Sequence, residues 1–114
     1  MKTQITTRDI VLEFIHALNT EDFKMARNWL NETFSFNGPM GTRNGADTYM
    51  NDMEKMKFKY TVQMSFEEGN DVCLIYDIDM GGKKITASGL YHLDNEKISS
   101  LSVFFDPRPL LQGA

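Results

Sequence analysis

Four strand-like segments fill the C-terminal half of the sequence, and they constrain its fold more than any other feature. Each segment is rich in β-branched and aromatic residues, and residues that tolerate a tight turn separate it from the next. Because the separators are short, neighbouring segments are expected to pair as antiparallel hairpins and to form a meander. The segments are residues 58–66, 72–80, 84–93 and 98–105. The separators contain Gly69-Asn70, Gly81-Gly82 and Asp94-Asn95. Pro107 and Pro109 follow the last segment and are expected to end it.

The N-terminal half has the apolar period of helices instead. Thr6 and Asp9 have the spacing of a capping box, and the first helix is expected to end near Asn19. Thr20 is placed to cap a second helix that would end near Asn31. A third, short helix is expected after Asn44-Gly45. The apolar residues that carry these helices are Ile10, Val11, Phe14, Ile15 and Leu18; Phe23, Ala26, Trp29 and Leu30; and Ala46, Tyr49, Met50, Met53 and Met56.

The segment between the second and third helices is short and irregular in pattern. Phe34-Ser35-Phe36 alternates like a brief strand, and the glycines and proline of residues 37–41 are expected to close it. The predicted order is therefore helix, helix, short strand, helix and four long strands. This order predicts an α+β domain over residues 1–114, in which helices cover one face of a curled antiparallel sheet.

Composition excludes several classes of partner. The net charge is −4, and no basic cluster is longer than Lys83-Lys84, so we expect no nucleic acid partner. No stretch approaches the roughly 20 apolar residues of a membrane span, and residues 1–7 lack the apolar run of a signal peptide. With the single cysteine Cys73, this favours a cytoplasmic protein. His16 and His92 fall outside any known ligand spacing, so neither a metal nor another cofactor is expected.

The element order and three segments resemble the nuclear transport factor 2-like superfamily, in particular its SnoaL-like branch. The resemblance covers nearly the whole chain. It implies a cone-shaped, cystatin-like fold in which the curved sheet wraps over three N-terminal helices. The segments are Phe34-Ser35-Phe36-Asn37-Gly38-Pro39, Gly45-Ala46-Asp47-Thr48-Tyr49 and Phe104-Phe105-Asp106-Pro107-Arg108-Pro109.

The superfamily contains ketosteroid isomerases, polyketide cyclases, epoxide hydrolases, dehydratases and proteins that only bind, so the fold alone does not give the function. In ketosteroid isomerases a tyrosine, a general-base aspartate and a proton-donating aspartate carry the reaction. The resemblance places Phe14, Gly38 and Gly89 at the matching positions. None of these side chains can accept a proton or donate a hydrogen bond. Isomerase chemistry at that site is therefore not expected, and whether the protein is an enzyme stays open.

Two other active sites of the superfamily are also missing from the pattern. Epoxide-hydrolase relatives use an Asp-Arg-Asp set, and cyclase relatives use one acidic residue in the pocket. Arg43 and Arg108 fall in loop-like segments, and neither can be placed beside two inward carboxylates. Strand alternation gives no inward acid.

Alternation does give inward polar aromatics. Tyr76 and Tyr91 are predicted to face the cone, with Tyr49 and Trp29 as companions, and they would orient a ligand by hydrogen bonds. The alternative is that they are core aromatics whose polar tips bond to backbone or water. The apolar part of this candidate ligand site is Phe14, Phe36, Met53 and Phe105.

Strand register affects whether acidic and basic side chains enter the cone. In the predicted register, Asp77, Asp79 and His92 lie outside the cone, whereas a slip of one residue would bring all three inside. That slip would favour an enzyme.

The outer face of the predicted sheet carries Ile75, Leu90 and Phe104, and an exposed apolar patch usually marks an interface. We therefore expect a homodimer that pairs through this face. The sequence leaves two functions open. The first is a protein that binds a small hydrophobic molecule in an apolar cone, with weak isomerase, cyclase or lyase activity of the acid–base type. The second is a non-catalytic dimerisation or binding module of the same fold.

Overall fold

The structure, a computed structural model, describes residues 6–108. All three predicted helices and all four predicted C-terminal strands are present, which confirms the α+β class. β6 ends before Pro107 as expected, and Pro109 lies outside the described residues. In chain order the elements are α1 (Thr7–Asn19), α2 (Phe23–Asn28), β1 (Leu30–Gly38), β2 (Gly41–Asn44), α3 (Ala46–Met56), β3 (Lys59–Glu68), β4 (Asp71–Asp79), β5 (Lys84–Asp94) and β6 (Lys97–Phe104).

The strands form one curved, open sheet in the order β2-β1-β6-β5-β4-β3. The predicted antiparallel meander from β3 to β6 is confirmed. The sheet is not antiparallel throughout, because β1 pairs with β6 in parallel, with Phe36 opposite Leu101. Parallel neighbours need a long connection, and β2, α3 and the rest of the meander supply it here.

The start of α1 follows the sequence pattern closely. The Thr6 hydroxyl accepts a hydrogen bond from the Asp9 backbone N–H at 3.0 Å, and the Asp9 carboxylate accepts one from the Thr6 N–H at 3.4 Å. The predicted capping box is therefore confirmed, and it satisfies two N–H groups that the first helical turn leaves without partners.

The second helix is shorter than predicted. Asp22, not Thr20, caps α2, and its carboxylate accepts a hydrogen bond from the Met25 N–H at 3.2 Å. The Thr20 hydroxyl instead donates to the His16 carbonyl at the end of α1. Leu30 was predicted to be helical but starts β1, where it pairs with Ile98. Pairing with a distant strand outweighs the local helical period here.

Residues 37–41 were predicted to interrupt regular structure, but they form the turn and part of the strands of a β-hairpin. Gly38 pairs with Gly41 across a turn made by Pro39 and Met40, and the pairing continues to Ser35 and Asn44. This hairpin brings β2 beside α3, next to the open end of the cone.

The predicted faces of the meander are confirmed. On β4 and β5 buried side chains alternate with more exposed ones, so no slip of register occurs. Asp77 lies on the outer face, where it accepts a hydrogen bond from the Thr86 hydroxyl at 2.7 Å. His92 also lies there, with its Nδ1 2.6 Å from the Asp71 carboxylate. The buried residues of these strands are Val72, Leu74, Tyr76, Ile78, Ile85, Ala87, Gly89, Tyr91 and Leu93.

Within residues 6–108, no helix has the length and apolar character needed to cross a bilayer.

Candidate active site

A cavity of about 340 Å³ lies between α3, the β1–β2 hairpin and the inner face of the sheet. Its walls are mostly apolar side chains, drawn from α3 and from four strands. Four of the chain's eight methionines line it, among them Met53 on α3, which is buried. Met40 and Met56 lie at its mouth, with exposed fractions of 59% and 45%. The cavity therefore opens to solvent at one end and reaches the buried core at the other.

The structure brings five of the eight predicted site residues to the cavity wall. These five are Phe36, Tyr49, Met53, Tyr76 and Phe105. The other three predicted residues, Phe14, Trp29 and Tyr91, are not among the lining residues. That any of the five binds a ligand stays a prediction.

The three remaining residues lie behind the wall. Phe14 is fully buried, and its ring meets the Tyr91 ring edge-on with centroids 6.5 Å apart. Trp29 follows α2, and its indole Nε1 is buried without a hydrogen-bond partner among the described residues. Phe14 and Tyr91 therefore belong to the core, and Trp29 is partly buried against it.

All four tyrosines of the chain meet at the inner end of the cavity, although α3, β3, β4 and β5 supply one each. The rings of Tyr60 and Tyr76 pack edge-on at 5.1 Å, and the Tyr49 ring packs on Phe36 at 5.2 Å. Tyr60 was not among the predicted site residues. Tyr60 lies on β3, two residues after Phe58, which also lines the cavity. Strand alternation from Phe58 was the signal that could have placed Tyr60 there.

A hydrogen bond between two hydroxyls links two members of this tyrosine cluster. The Tyr76 and Tyr91 hydroxyl oxygens are 2.9 Å apart, and both are buried. Burial raises the pKa of Tyr76 to about 12, although the hydrogen bond from Tyr91 lowers it in part. Burial also raises the pKa values of Tyr49, Tyr60 and Tyr91 well above the usual tyrosine range, and hydrogen bonding to Tyr49 adds to the increase at Tyr60. All four hydroxyls therefore stay protonated at neutral pH.

Two glycines make room for this arrangement. A Cβ built on Gly89 would lie 2.3 Å from the Tyr76 hydroxyl oxygen, and one built on Gly38 would lie 2.9 Å from the Phe36 ring. The resemblance to ketosteroid isomerases was expected to place these two glycines at positions of catalytic residues. Neighbouring aromatic side chains occupy the space into which side chains at those positions would extend.

One ion pair lies at the rim. Arg43 on β2 and Asp52 on α3 both line the cavity, and the Arg43 Nε lies 2.6 Å from an Asp52 carboxylate oxygen. Among residues 6–108 they are the only charged residues on the cavity wall. Arg43 therefore contacts one carboxylate, not the two that the epoxide-hydrolase set needs.

Strand alternation gave no inward acid, and the acid that the structure does place on the cavity wall, Asp52, comes from α3. The helical spacing of Tyr49, Asp52, Met53 and Met56 was the signal that could have placed it there, since residues three and four apart share a helix face. Strand alternation could not have found an acid that a helix supplies.

No group of three or more His, Cys, Asp or Glu side chains within residues 6–108 is arranged to hold a metal ion. Cys73 is a free, half-buried thiol on β4. The polar groups of the cavity are thus phenols at the inner end and one ion pair at the rim.

Residues 11–101 match the model of the SnoaL-like domain family. Since this match covers most of the chain, the protein belongs to the SnoaL-like domain family. Among curated proteins, none matches the sequence.

Solved structures show the same fold. A nuclear transport factor 2-like protein of unknown function from Cytophaga hutchinsonii is 73% identical, with a TM-score of 0.94, and the match covers 97% of this chain and 99% of that one. A putative ketosteroid isomerase from Kribbella flavida has a TM-score of 0.81 at 14% identity, covering 88% of this chain and 77% of that one. An LEH-like epoxide hydrolase from M. tuberculosis has a TM-score of 0.80 at 17% identity, covering 94% of this chain and 87% of that one. The last two similarities show the fold alone.

Proposed function

We propose that the protein binds a small hydrophobic molecule in the cavity lined by Tyr76 and Met53. The observation that carries the proposal is the cavity itself. Its volume of about 340 Å³ falls within the range of roughly 300–1,000 Å³ typical of small-molecule sites. Its apolar walls and few convergent polar groups are also typical of such sites.

The cavity has a solvent-exposed mouth, which supports a ligand-binding pocket and not a closed void in the core. Met40 and Met56 are exposed there, whereas Tyr49 and Tyr76 at the inner end are buried. Thioether side chains adapt their shape easily, so methionines at the mouth and on the wall suit a ligand of irregular outline.

A cavity-filling substitution tests this proposal. Met53→Trp would place a large ring in the cavity, and Met25→Trp is the matched control, because Met25 is exposed on α2 and does not line the cavity. The neutral fluorescent probe phenylnaphthylamine should bind the wild type and the control, and it should lose most of its affinity for Met53→Trp. Equal affinity in all three proteins would contradict the proposal. Thermal melts of the variants show whether both are folded.

Catalysis of the isomerase, cyclase or lyase type would rest on Asp52, because it is the only carboxylate on the wall within residues 6–108. One oxygen of the Asp52 carboxylate already accepts a hydrogen bond from the Arg43 Nε. The second candidate, a non-catalytic binding module, is favoured by one observation. The positions Phe14, Gly38 and Gly89 carry none of the isomerase groups, and a Cβ at either glycine would meet a neighbouring aromatic side chain.

The outer face of the sheet supports the further proposal of a homodimer. Met64, Ile75, Ser88 and Phe104 lie side by side across four strands. Phe66, Cys73 and Leu90 form the adjacent row.

The partner that binds the outer face of the sheet is proposed to be a second copy of the chain. Polar pairs bound the two apolar rows, Asp77 with Thr86 at one end and Asp71 with His92 at the other. An apolar centre with a polar rim is the usual anatomy of a protein–protein interface.

The single free thiol Cys73 on this face supports a reducing, cytoplasmic location.

A further inference from the structure

The hydrogen bond between Tyr76 and Tyr91 has a direction that the surroundings determine. Tyr76 lines the cavity, whereas Tyr91 does not. Within residues 6–108, each hydroxyl has the other as its one hydrogen-bond partner. Each hydroxyl carries one proton, and only one of the two protons can lie between the oxygens.

If Tyr76 donated, the proton of Tyr91 would be buried with no acceptor, which costs the full desolvation of that donor. If Tyr91 donates, Tyr76 accepts, and its own proton is free to turn towards the cavity that its side chain borders. In the second arrangement, the Tyr91 proton has an acceptor, and no hydroxyl proton is buried behind the cavity wall without one.

The Tyr76 hydroxyl is also held in position. It lies over Gly89, where a Cβ would come within 2.3 Å of the oxygen, and the Tyr60 ring packs edge-on against the Tyr76 ring at 5.1 Å. Only the absence of a side chain at position 89 lets the hydroxyl reach Tyr91. Because the Tyr76 hydroxyl is held in this way, it offers its proton to a bound molecule from a fixed position.

We propose that Tyr76 selects ligands that carry a neutral carbonyl oxygen, and that Tyr91 is a positioning residue that directs the Tyr76 proton into the cavity. This inference rests on the proposed function and names the ligand class of the same site. A hydrocarbon would leave the Tyr76 proton without an acceptor, and an ammonium group cannot accept it. A carboxylate would be buried beside apolar walls, while the cation of the cavity, Arg43, lies at the rim and is already paired with Asp52.

Two probes of equal shape test the proposal. Acetylnaphthalene and isopropenylnaphthalene differ in one group, a carbonyl oxygen in the first and a methylene in the second. We expect the wild type to bind the ketone roughly threefold to tenfold more tightly, the ratio that one ordinary net hydrogen bond gives. Isothermal titration gives both dissociation constants.

The tyrosine variants assign the roles. In Tyr76→Phe the ratio should fall to about one, because the donor that distinguishes the two probes is removed. In Tyr91→Phe the ratio should fall part of the way, because Tyr76 keeps its proton but loses the bond that directs it. The infrared carbonyl band of bound acetylnaphthalene should shift to higher frequency in Tyr76→Phe, which a loss of packing alone would not produce.

The outcomes separate the two proposals. Equal affinities for both probes in the wild type, or an unchanged ratio in Tyr76→Phe, would overturn the carbonyl preference and leave ligand binding intact. If the wild type binds none of the three probes, acetylnaphthalene, isopropenylnaphthalene and phenylnaphthylamine, both the carbonyl preference and the proposed ligand binding are overturned. Should Tyr76→Phe fail to fold, Gly89→Ala replaces it, because an added Cβ displaces the same hydroxyl.

Discussion

The hydroxyl oxygen of Tyr76 lies over the Cα of Gly89, at a place where a Cβ on residue 89 would come within 2.3 Å of it. Since real Cβ atoms do not approach an oxygen so closely, one of the two groups must move when residue 89 gains a side chain. The bond to Tyr91 and the shape of the inner cavity depend on that contact.

Gly89→Ala is expected to lower the free energy of unfolding by about 1–3 kcal/mol, the usual cost of overpacking a core. The same substitution in a Tyr76→Phe background should cost less, because the oxygen in closest contact is gone. Urea denaturation of the wild type, the two single variants and the double variant gives the coupling energy. A coupling energy of zero would mean that the contact does not exist in solution.

The capping box at α1 gives a second prediction. Thr6→Ala removes the acceptor for the Asp9 N–H and should cost about 0.5–2 kcal/mol of unfolding free energy. Thr7→Ala is the control, because Thr7 lies one position further along and no cap bond uses its side chain. Chemical denaturation measures both, and equal losses in the two variants would contradict the role of Thr6.

The buried tyrosines predict how stability depends on alkaline pH. The pKa of Tyr76 is raised to about 12 in the folded state and those of the other three are also raised, against about 10 in an unfolded chain. Their contribution to stability is therefore fully present below pH 10 and is lost as the pH rises towards about 12. We expect tyrosinate absorbance and loss of the far-ultraviolet circular dichroism signal to appear together.

The protein in concentrated urea is the control for this titration, because its tyrosines should ionise near pH 10. A tyrosine that ionised near pH 10 with unchanged circular dichroism would show that its hydroxyl is exposed.

The proposed dimer gives a fourth prediction. Phe104→Glu places a charge in the apolar rows of the outer face and should shift the protein to monomers, because a buried, unpaired charge opposes association. Met25→Glu also removes an exposed apolar side chain, but on α2, and should leave the mass unchanged. Light scattering after size-exclusion chromatography measures both. A wild-type protein that is monomeric at all concentrations would refute the dimer.

The parts of the fold that sequence predicted correctly depend on neighbours in the chain. The Thr6–Asp9 capping box and the two faces of β4 and β5 follow from local spacing, and the structure has both. Leu30 shows where local spacing fails, because its helical period was outweighed by pairing with Ile98 from the other end of the chain. No local pattern reports such a pairing.

The candidate site was predicted in part for the same reason. Alternation placed Tyr76 on the inner face, but it could not show that Tyr91 would stand behind it. That difference depends on sheet curvature and on the space above Gly89. Asp52 entered the wall from α3, so it needed the position of a helix relative to the sheet, which periodicity does not give.

The parallel pairing of β1 with β6 also governs the order in which the molecule can be completed. Phe36 lies opposite Leu101, so the sheet stays divided until nearly the last strand of the described chain has been synthesised. Contacts between distant parts of a chain form late and slow the folding reaction. On the ribosome, β1 therefore lacks its parallel partner until β6 has emerged, and we expect a chaperone that covers unpaired strand edges to act on this protein during that interval.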